Sequence, residues 1–592
     1  MLFWRMFLKV IYTIIFLFIA QLLLSEGNLK SIDQHYPVRH EFCDNSIYDI
    51  VIDEIMSDPI PAVGLPAVEW IELKNVSSSS INLSGYRLGK LTTQSGAFPQ
   101  YILKPDSFLI VCSANSVAAM SAFGHTISVT GFPSLTNANG IIYLLSNNNQ
   151  LMHAVNYSDS WYQNSIKKNG GWSLEMIDTK NPCSGSSNWK ASIDPSGGTP
   201  GRKNSLDANN PDHTPPKVIG AFCADSLSII ISFDEPIDSI GASHSNNYLI
   251  SDGIGNPVTA VPVSPLLNMV KLKLGNRLLA TKIYSVTVSG VADCKGNVIN
   301  GNNIINTGLA VGADSMDVVI NEILYNPLPG GVDYVELYNR SKKIINANEL
   351  FIANRNNLNI LNTPIQISVT NNLFFPQEFL LVTSDPQVVR QQYHTLNPNA
   401  FIKSSLPTFA IDKGNVVLLN SHGNMIDELN YSDKWQFPLL TNTSGISLER
   451  INNNGPSGQE NFHSASSSVG FGTPGYKNSQ YLPDENVSIG INVVPEIFSP
   501  DNDGTDDFAT INYHFPSPGY VTNIIIYDAN GRAVRLLQQN ALSGIKGYYR
   551  WDGLGDKMQK LPVGVYLIVT DVFNQEGKKK LFKNQVVLAR RF

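Results

Sequence analysis

Four aspartates crowd one short stretch. Asp501, Asp503, Asp506 and Asp507 surround Gly504 in FSPDNDGTDDF (Phe498–Phe508). Carboxylates at i, i+2 and i+5 on a glycine-bent loop can wrap a hard cation such as Ca²⁺, which takes roughly six to eight oxygens. The spacing is not that of an EF-hand: the glycine falls at the fourth position instead of the sixth, and no Glu stands at the twelfth. The same residue types suit an Asx-turn loop whose side chains satisfy their own backbone, and turn chemistry is the favoured reading. A second pattern is a pair of glutamates that occurs twice, Glu54 with Glu72 and Glu322 with Glu336. Paired carboxylates can act as general acid and base or hold a metal. Duplicated active sites are uncommon, so a structural role is expected, with these groups accepting backbone or tyrosine hydrogen bonds. The ten histidines are scattered without HExxH spacing. GxSxG, Walker and GxGxxG patterns are lacking, so no catalytic or cofactor-binding residues are expected beyond a calcium loop at the four aspartates.

Five cysteines cannot all pair internally. Cys223 and Cys294 lie near the two ends of the middle segment, where a disulfide would staple a sandwich. Cys43 and Cys183 bracket the first part of the chain and form a second candidate pair, while Cys112, inside FLIVCSA, reads as a small buried hydrophobe. Trp161, Trp172, Trp189, Trp435 and Trp551 can stack on sugars. Tryptophans beside Gly and Asn turns are more often core plugs of small sandwiches.

The elements that must position these residues come in two copies. GTPGRKNS at Gly198–Ser205 returns as GTPGYKNS at Gly472–Ser479, 274 positions later. Upstream, in order, DIVIDEI (Asp49–Ile55) answers DVVINEI (Asp317–Ile323), and VEWIELKNVS (Val68–Ser77) answers VDYVELYNRS (Val332–Ser341). VNYSDSW (Val155–Trp161) answers LNYSDKW (Leu429–Trp435), and GWSLEMID (Gly171–Asp178) answers GISLERIN (Gly445–Asn452). A unit of about 160 residues repeated once is a whole domain, not a solenoid turn. Alternation in VEWIELKN places Val68, Trp70 and Glu72 on one face and Glu69, Ile71 and Leu73 on the other. Short apolar runs separated by Asn- and Gly-rich turns, without helical periodicity, predict an all-β chain of tandem antiparallel Ig-like sandwiches.

The order DEI/NEI, then Glu-aromatic-hydrophobic-Glu-Leu-x-Asn, then NLSGYRL (Asn82–Leu88), then a closing GTPG, resembles the bacterial lamin-tail domain. The second copy departs from the pattern, with ANELFIANR in place of the LSGYRL turn. The resemblance implies an Ig-like sandwich of secreted and cell-surface proteins. The middle segment, with IIISFDEPID (Ile229–Asp238) and YSVTVSGVADCKGN (Tyr284–Asn297), is similar to bacterial Ig-like spacers. The last segment runs through FSPDNDGTDDF, NIIIYDANGRAVRLL, YYRWDGLGDK, LPVGVYLIVTDV and KNQVVLARRF. It resembles C-terminal sorting domains of the type IX secretion system, with features of the gliding-motility-associated class and of the related hook-cap Ig module. That resemblance implies the type IX machinery as a partner, attachment at the outer-membrane surface and removal of the sorting domain there. The expected organisation is a signal peptide (1–25), a first lamin-tail-like sandwich (46–205), a spacer (213–311), a second lamin-tail-like sandwich (316–480) and the C-terminal domain (487–592).

Bulk composition agrees with an exported protein. The charged fraction is 15%, against a usual ~25%. A net charge of −7 over 592 residues leaves no basic footprint for nucleic acid. Arg5 and Lys9 precede the apolar run Val10–Leu24, which is too short for a membrane span and suits a secretory signal. The basic run Lys578–Lys580 reads as decoration of an exposed turn. The leading expectation is a non-enzymatic secreted or outer-surface protein for adhesion or scaffolding, with an extracellular protein or polysaccharide as ligand. The alternatives are a polymer-binding accessory of extracellular degradation, marked by aromatics in line on an exposed face, and a hydrolase, marked by the acidic pairs converging in a cleft.

Overall fold

The computed structural model describes residues 46–91, 93–482 and 488–590; the expected signal peptide and Cys43 lie outside them. The chain is all-β, and among the described residues the longest helix is the seven-residue Pro386–Gln392. No helix among them is long and apolar enough to cross a membrane.

The two copies build the same pair of sheets. In the first, a six-stranded sheet runs Trp189–Ala191, Leu174–Met176, Ile50–Met56, Trp70–Asn75, Phe108–Cys112, Thr126–Ser128. In the second the corresponding order is Phe462–Ser464, Leu448–Arg450, Val318–Leu324, Tyr334–Asn339, Phe379–Thr383, Phe401–Lys403. Both are antiparallel except for the last pairing, which is parallel in each copy. A four-stranded sheet faces each: Leu151–Ser158, Asn139–Leu145, Arg87–Lys90 and Thr93–Gln94 in the first copy, and Met425–Ser432, Lys413–Asn420, Leu350–Ala353 and Ile365–Gln366 in the second. Alternation decides what meets inside. Ile52, Ile71 and Leu73 pack against Leu88, Ile142, Leu144 and Met152, and Ile320, Val335 and Leu337 do the same with Ile352, Val416 and Leu418.

Alternation fails at one point in each copy, and the failure creates the site. The first strand carries a β-bulge between Ile52 and Glu54, matched by one between Ile320 and Glu322. A bulge leaves one residue unpaired in the ladder, here Asp53 or Asn321. It also frees a backbone donor that needs a partner inside the sandwich. The Ile52 amide donates to His153 Nδ1 at 2.9 Å, and the Ile320 amide donates to Asp427 Oδ2 at 2.8 Å. His153 Nε2 lies 3.2 Å from the Pro182 carbonyl, so the ring is neutral with its proton on Nε2. Burial lowers its pKa to about 4. In the second copy the buried Asp427 needs a countercharge, which Arg450 supplies at 3.2 Å while its Nε donates to the Ile320 carbonyl.

The middle segment pairs Val218–Asp225, Ser228–Phe233, Met269–Lys273 and Thr259–Pro262 in one sheet, and Tyr248–Ile250, Tyr284–Val288 and Ile304–Thr307 in another. The expected Cys223–Cys294 disulfide is not formed. Cys294 bonds to Cys183 of the first copy, which also rules out Cys43 as the partner of Cys183. Cys223 sits on the Val218–Asp225 strand with its Sγ 3.5 Å from Thr307 Oγ1. Cys294 lies in the turn that approaches the first copy, where Lys295 Nζ donates to the Lys180 carbonyl and Asn297 Nδ2 to the Asp212 carbonyl. The bridge therefore fastens two sandwiches together instead of stapling one.

The C-terminal segment pairs Gly490–Val494, Ala509–His514 and Lys546–Trp551 in one sheet. Ile497–Phe498, Lys579–Leu588, Gly564–Phe573, Val521–Asp528 and Ala533–Leu542 form the other. Phe498, Trp551, Tyr566 and Ile568 fill the space between them. Phe437 of the second copy is buried with Val521 and Leu542 of this sandwich.

Candidate functional site

The paired glutamates converge, but under a lid. Glu54 stands opposite Glu72 on one neighbouring strand and opposite Glu175 on the other. Glu322 stands likewise between Glu336 and Glu449. All six are fully buried. They occupy the outer face of the six-stranded sheet, which is covered by the closing segment that contains GTPG. In the first copy Thr199 donates through its amide to Glu54 Oε1 at 2.8 Å, and its hydroxyl lies 2.9 Å from Glu175 Oε1. The Gly201 amide donates to Glu72 Oε2, and Ser205 Oγ and the Leu206 amide donate to Glu175 Oε2. In the second copy Thr473, Gly475, Ser479 and Gln480 repeat these bonds to Glu322, Glu336 and Glu449.

The repeated phrase follows from this geometry. A Cβ on Gly198 would stand 2.8 Å from Glu54 Oε1 and 2.9 Å from Ser173 Oγ, so the first glycine lets the backbone reach the carboxylate. The second glycine adopts a left-handed conformation, φ +80° at Gly201 and +85° at Gly475, which other residues adopt only under strain. Asn204 then donates to the Asp53 and Met176 carbonyls, as Asn478 does to those of Asn321 and Arg450, locking the segment onto the bulge.

Electrostatics makes each cluster a shared acid. Burial raises the pKa of Glu54 and Glu72 well above the usual carboxylate range, and the neighbouring Glu175 and Glu54 respectively push further. Burial does the same for Glu322 and Glu336, and lifts Glu449 to about 8. Thr473 Oγ1 lies 2.8 Å from Glu322 Oε2 and 2.9 Å from Glu449 Oε1. One hydroxyl hydrogen cannot serve both contacts fully, so a protonated Glu449 completes the network by donating back to Thr473. Glu322 receives Tyr334 OH at 2.5 Å, Ser447 Oγ at 2.6 Å and the Thr473 amide, donors that favour its charged form against the burial that raises its pKa. The arrangement holds a β-strand, a bulge and a closing peptide together. It presents no carboxylate to solvent.

Of the four aspartates, Asp501, Asp503 and Asp507 bring carboxylate oxygens within 4.8 Å of one another. Asp506 stands apart from that group, exposed and in a left-handed conformation at φ +52°. Asp507 accepts the amides of Asn502 at 2.6 Å and Gly504 at 3.0 Å, Asp501 accepts that of Asp503, and Asp503 that of Thr505. Three hard oxygen donors suit Ca²⁺ in type, and each is also engaged with its own loop. A further acidic group escaped the sequence reading: Asp212, Glu235 and Asp293, drawn from three separate segments. Burial, then Asp212 and Asp293, push Glu235 up to about 8.

The sequence reading also missed Glu175, Glu449, Thr199, Thr473 and Asp53, although all stand inside the repeated phrases. Among the tryptophans, Trp189 and Trp551 are buried and Trp161, Trp172 and Trp435 are half-buried. Trp161 packs on Trp189 and Trp435 on Phe462, so these rings serve the cores.

Residues 44–159 match the family model of the Lamin Tail Domain, so the first copy carries that domain. The second copy repeats its strand order. No curated protein matches the chain. Among solved structures, the N-terminal part of the bacterial S-layer protein SbsC aligns at 16% identity over 28% of this chain and 39% of that one, with a TM-score of 0.15. The chain thus spans about two fifths of that S-layer fragment. PorZ, a bacterial surface component of the type-IX secretion system of Porphyromonas gingivalis, aligns at 10% identity over 76% of this chain and 56% of its own, with a TM-score of 0.15. A tetra-tandem repeat from the extending region of a large adhesion protein aligns at 8% identity over 91% of this chain and 98% of its own, with a TM-score of 0.12. Scores this low leave function to be argued from the residues themselves.

Proposed function

We propose that this is a non-enzymatic modular protein of the cell exterior, working in adhesion or scaffolding and held at the surface through its C-terminal sandwich. The observation that carries this reading is the fate of the repeated acidic pairs. The constellation with catalytic residue types in both copies is sealed beneath GTPG and tied to its donors, which counts against the hydrolase alternative. The Cys183–Cys294 bridge supports an oxidising, extracytoplasmic location. Placement of the tryptophans in the cores counts against a sugar-stacking platform built from them. The ligand would be an extracellular protein or polysaccharide, met by loops and exposed sheet edges such as Thr93–Gln94. The type IX secretion machinery would be the export partner, a reading that rests on the residues of the last segment.

Fractionation of cells expressing the full chain and a version ending at Asp484 tests the anchoring. Full-length protein on the outer surface with the truncation held in the periplasm supports it. The same location for both forms would reduce the C-terminal segment to one more sandwich.

A further inference from the structure

The two copies differ at the bulge, and the difference is chemical. In the second, Asn321 Nδ2 donates to Glu336 Oε1 at 2.8 Å and to Asn478 Oδ1 at 2.7 Å. The amide thus fills a gap between two acceptors. In the first copy the same position holds Asp53, 1% exposed, beside the fully buried Glu72. Asp53 Oδ1 and Glu72 Oε1 are both buried without a hydrogen-bond partner. The closing segment meets the pair in the same way in both copies. Glu72 Oε2 accepts Gly201 N as Glu336 Oε2 accepts Gly475 N, and the bulge carbonyl accepts from Asn204 as it does from Asn478. A carboxylate oxygen therefore stands where an N–H is needed, facing a second carboxylate.

We propose that one proton shared between Asp53 Oδ1 and Glu72 Oε1 closes the clasp of the first copy, making it a pH-sensitive latch that Asn321 removes from the second. Burial favours the neutral acid, lifting Asp53 to about 7. The charged and titratable groups facing the pair come from each element packed on it. Glu54 lies on the same strand as Asp53, Lys74 on the strand of Glu72, and Glu175 on the strand beyond; Asp106 belongs to a turn and Asp207 to the closing segment. Lys74 is the cation of the set, and it is 3.2 Å from Asp106. A group whose folded pKa is raised stabilises fully below its unfolded value, and that stability is lost as pH rises through the folded value. The first copy therefore loosens as pH rises from about 4 through about 7, at the point where Gly201 is tied down. This proposal concerns the clasp alone and stands whatever the protein binds.

Amide exchange in the full chain tests it, comparing protection of Gly201 and Gly475 between pH 6 and pH 9 after correction for intrinsic exchange. With a folded pKa near 7, the step from pH 6 to pH 9 costs Gly201 up to about a tenfold loss of protection beyond that at Gly475. Asp53→Asn should abolish the excess, and Asn321→Asp should create it at Gly475. An unchanged pH response of Gly201 in Asp53→Asn would overturn the proposal. So would protection regained at pH 9 on adding millimolar Ca²⁺ to the wild-type chain but not to Asp53→Asn, since a cation would then hold the place given to the proton.

Discussion

Thr473→Val is the sharpest probe of the clasp. Valine keeps the buried γ-methyl and the backbone amide that donates to Glu322, and removes only the hydroxyl lying 2.8 Å from Glu322 Oε2 and 2.9 Å from Glu449 Oε1. A hydrogen bond to a charged group contributes about 1.5–3 kcal/mol, and both carboxylate oxygens are left buried without it, so the loss should be near the top of that range. At 1.36 kcal/mol per factor of ten, about 3 kcal/mol is roughly a 150-fold rise in local opening. A multi-domain chain has no single unfolding free energy, so the assay is amide exchange at Ile320 and Ile323, on the strand that carries Glu322. Thr473→Ser keeps the hydroxyl and loses one methyl, worth about 0.8 kcal/mol, or roughly fourfold. Valine within threefold of wild type, or serine worse than valine, would refute the claim that the hydroxyl ties the closing segment to the sheet.

Five other outcomes follow from the same geometry. Protection in the second copy should fall as pH rises from about 4.5 through about 8, because the acid form of Glu449 is the one the fold favours; constant protection to pH 9 would exclude the shared proton. In the first copy, neutral His153 works in the opposite sense, so protection of Ile52 should fall as pH drops from 6.5 to about 4. His153→Asp alone buries an unpaired carboxylate and should be strongly destabilising by about 3 kcal/mol or more, with His153→Asp plus Met176→Arg recovering most of it by copying Asp427–Arg450. Peptide mapping under non-reducing conditions should recover Cys183 joined to Cys294, and reduction should lower the stability of the joined pair of sandwiches by on the order of 4 kcal/mol. Asp507→Ala should speed exchange at Asn502 and Gly504 even without calcium; if added Ca²⁺ slows both amides in the wild type only, the loop is a cation site as well as a turn.

The architecture was legible because its signals are local. Alternation in VEWIELKN put Ile71 and Leu73 on the face opposite Trp70 and Glu72, and the structure places Ile71 and Leu73 in the core between the sheets while burying Glu72 under the closing segment. Repetition picked out the phrases that matter, including GTPG and the SLE that holds Glu175 and Glu449. What repetition could not convey is that three phrases meet at one point, since Glu54, Glu175 and Thr199 become neighbours only through strand register and the bulge. The disulfide failed for a similar reason. Proximity in sequence favoured Cys223, whereas the turn carrying Cys294 faces a different sandwich. Asp506 was grouped with its neighbours by spacing, but its backbone turns left-handed and its carbonyl accepts the Ser499 amide.

The clasp also imposes an order of events. Thr199, which closes over Glu54, lies 145 residues after it, and Thr473 lies 151 residues after Glu322. Contacts of such long range make folding slow, because loop closure must precede their reward. Each copy therefore lacks the closing-segment donors to its three buried carboxylates until its last dozen residues have joined the sheet. Each copy thus finishes folding only when its closing segment is in place.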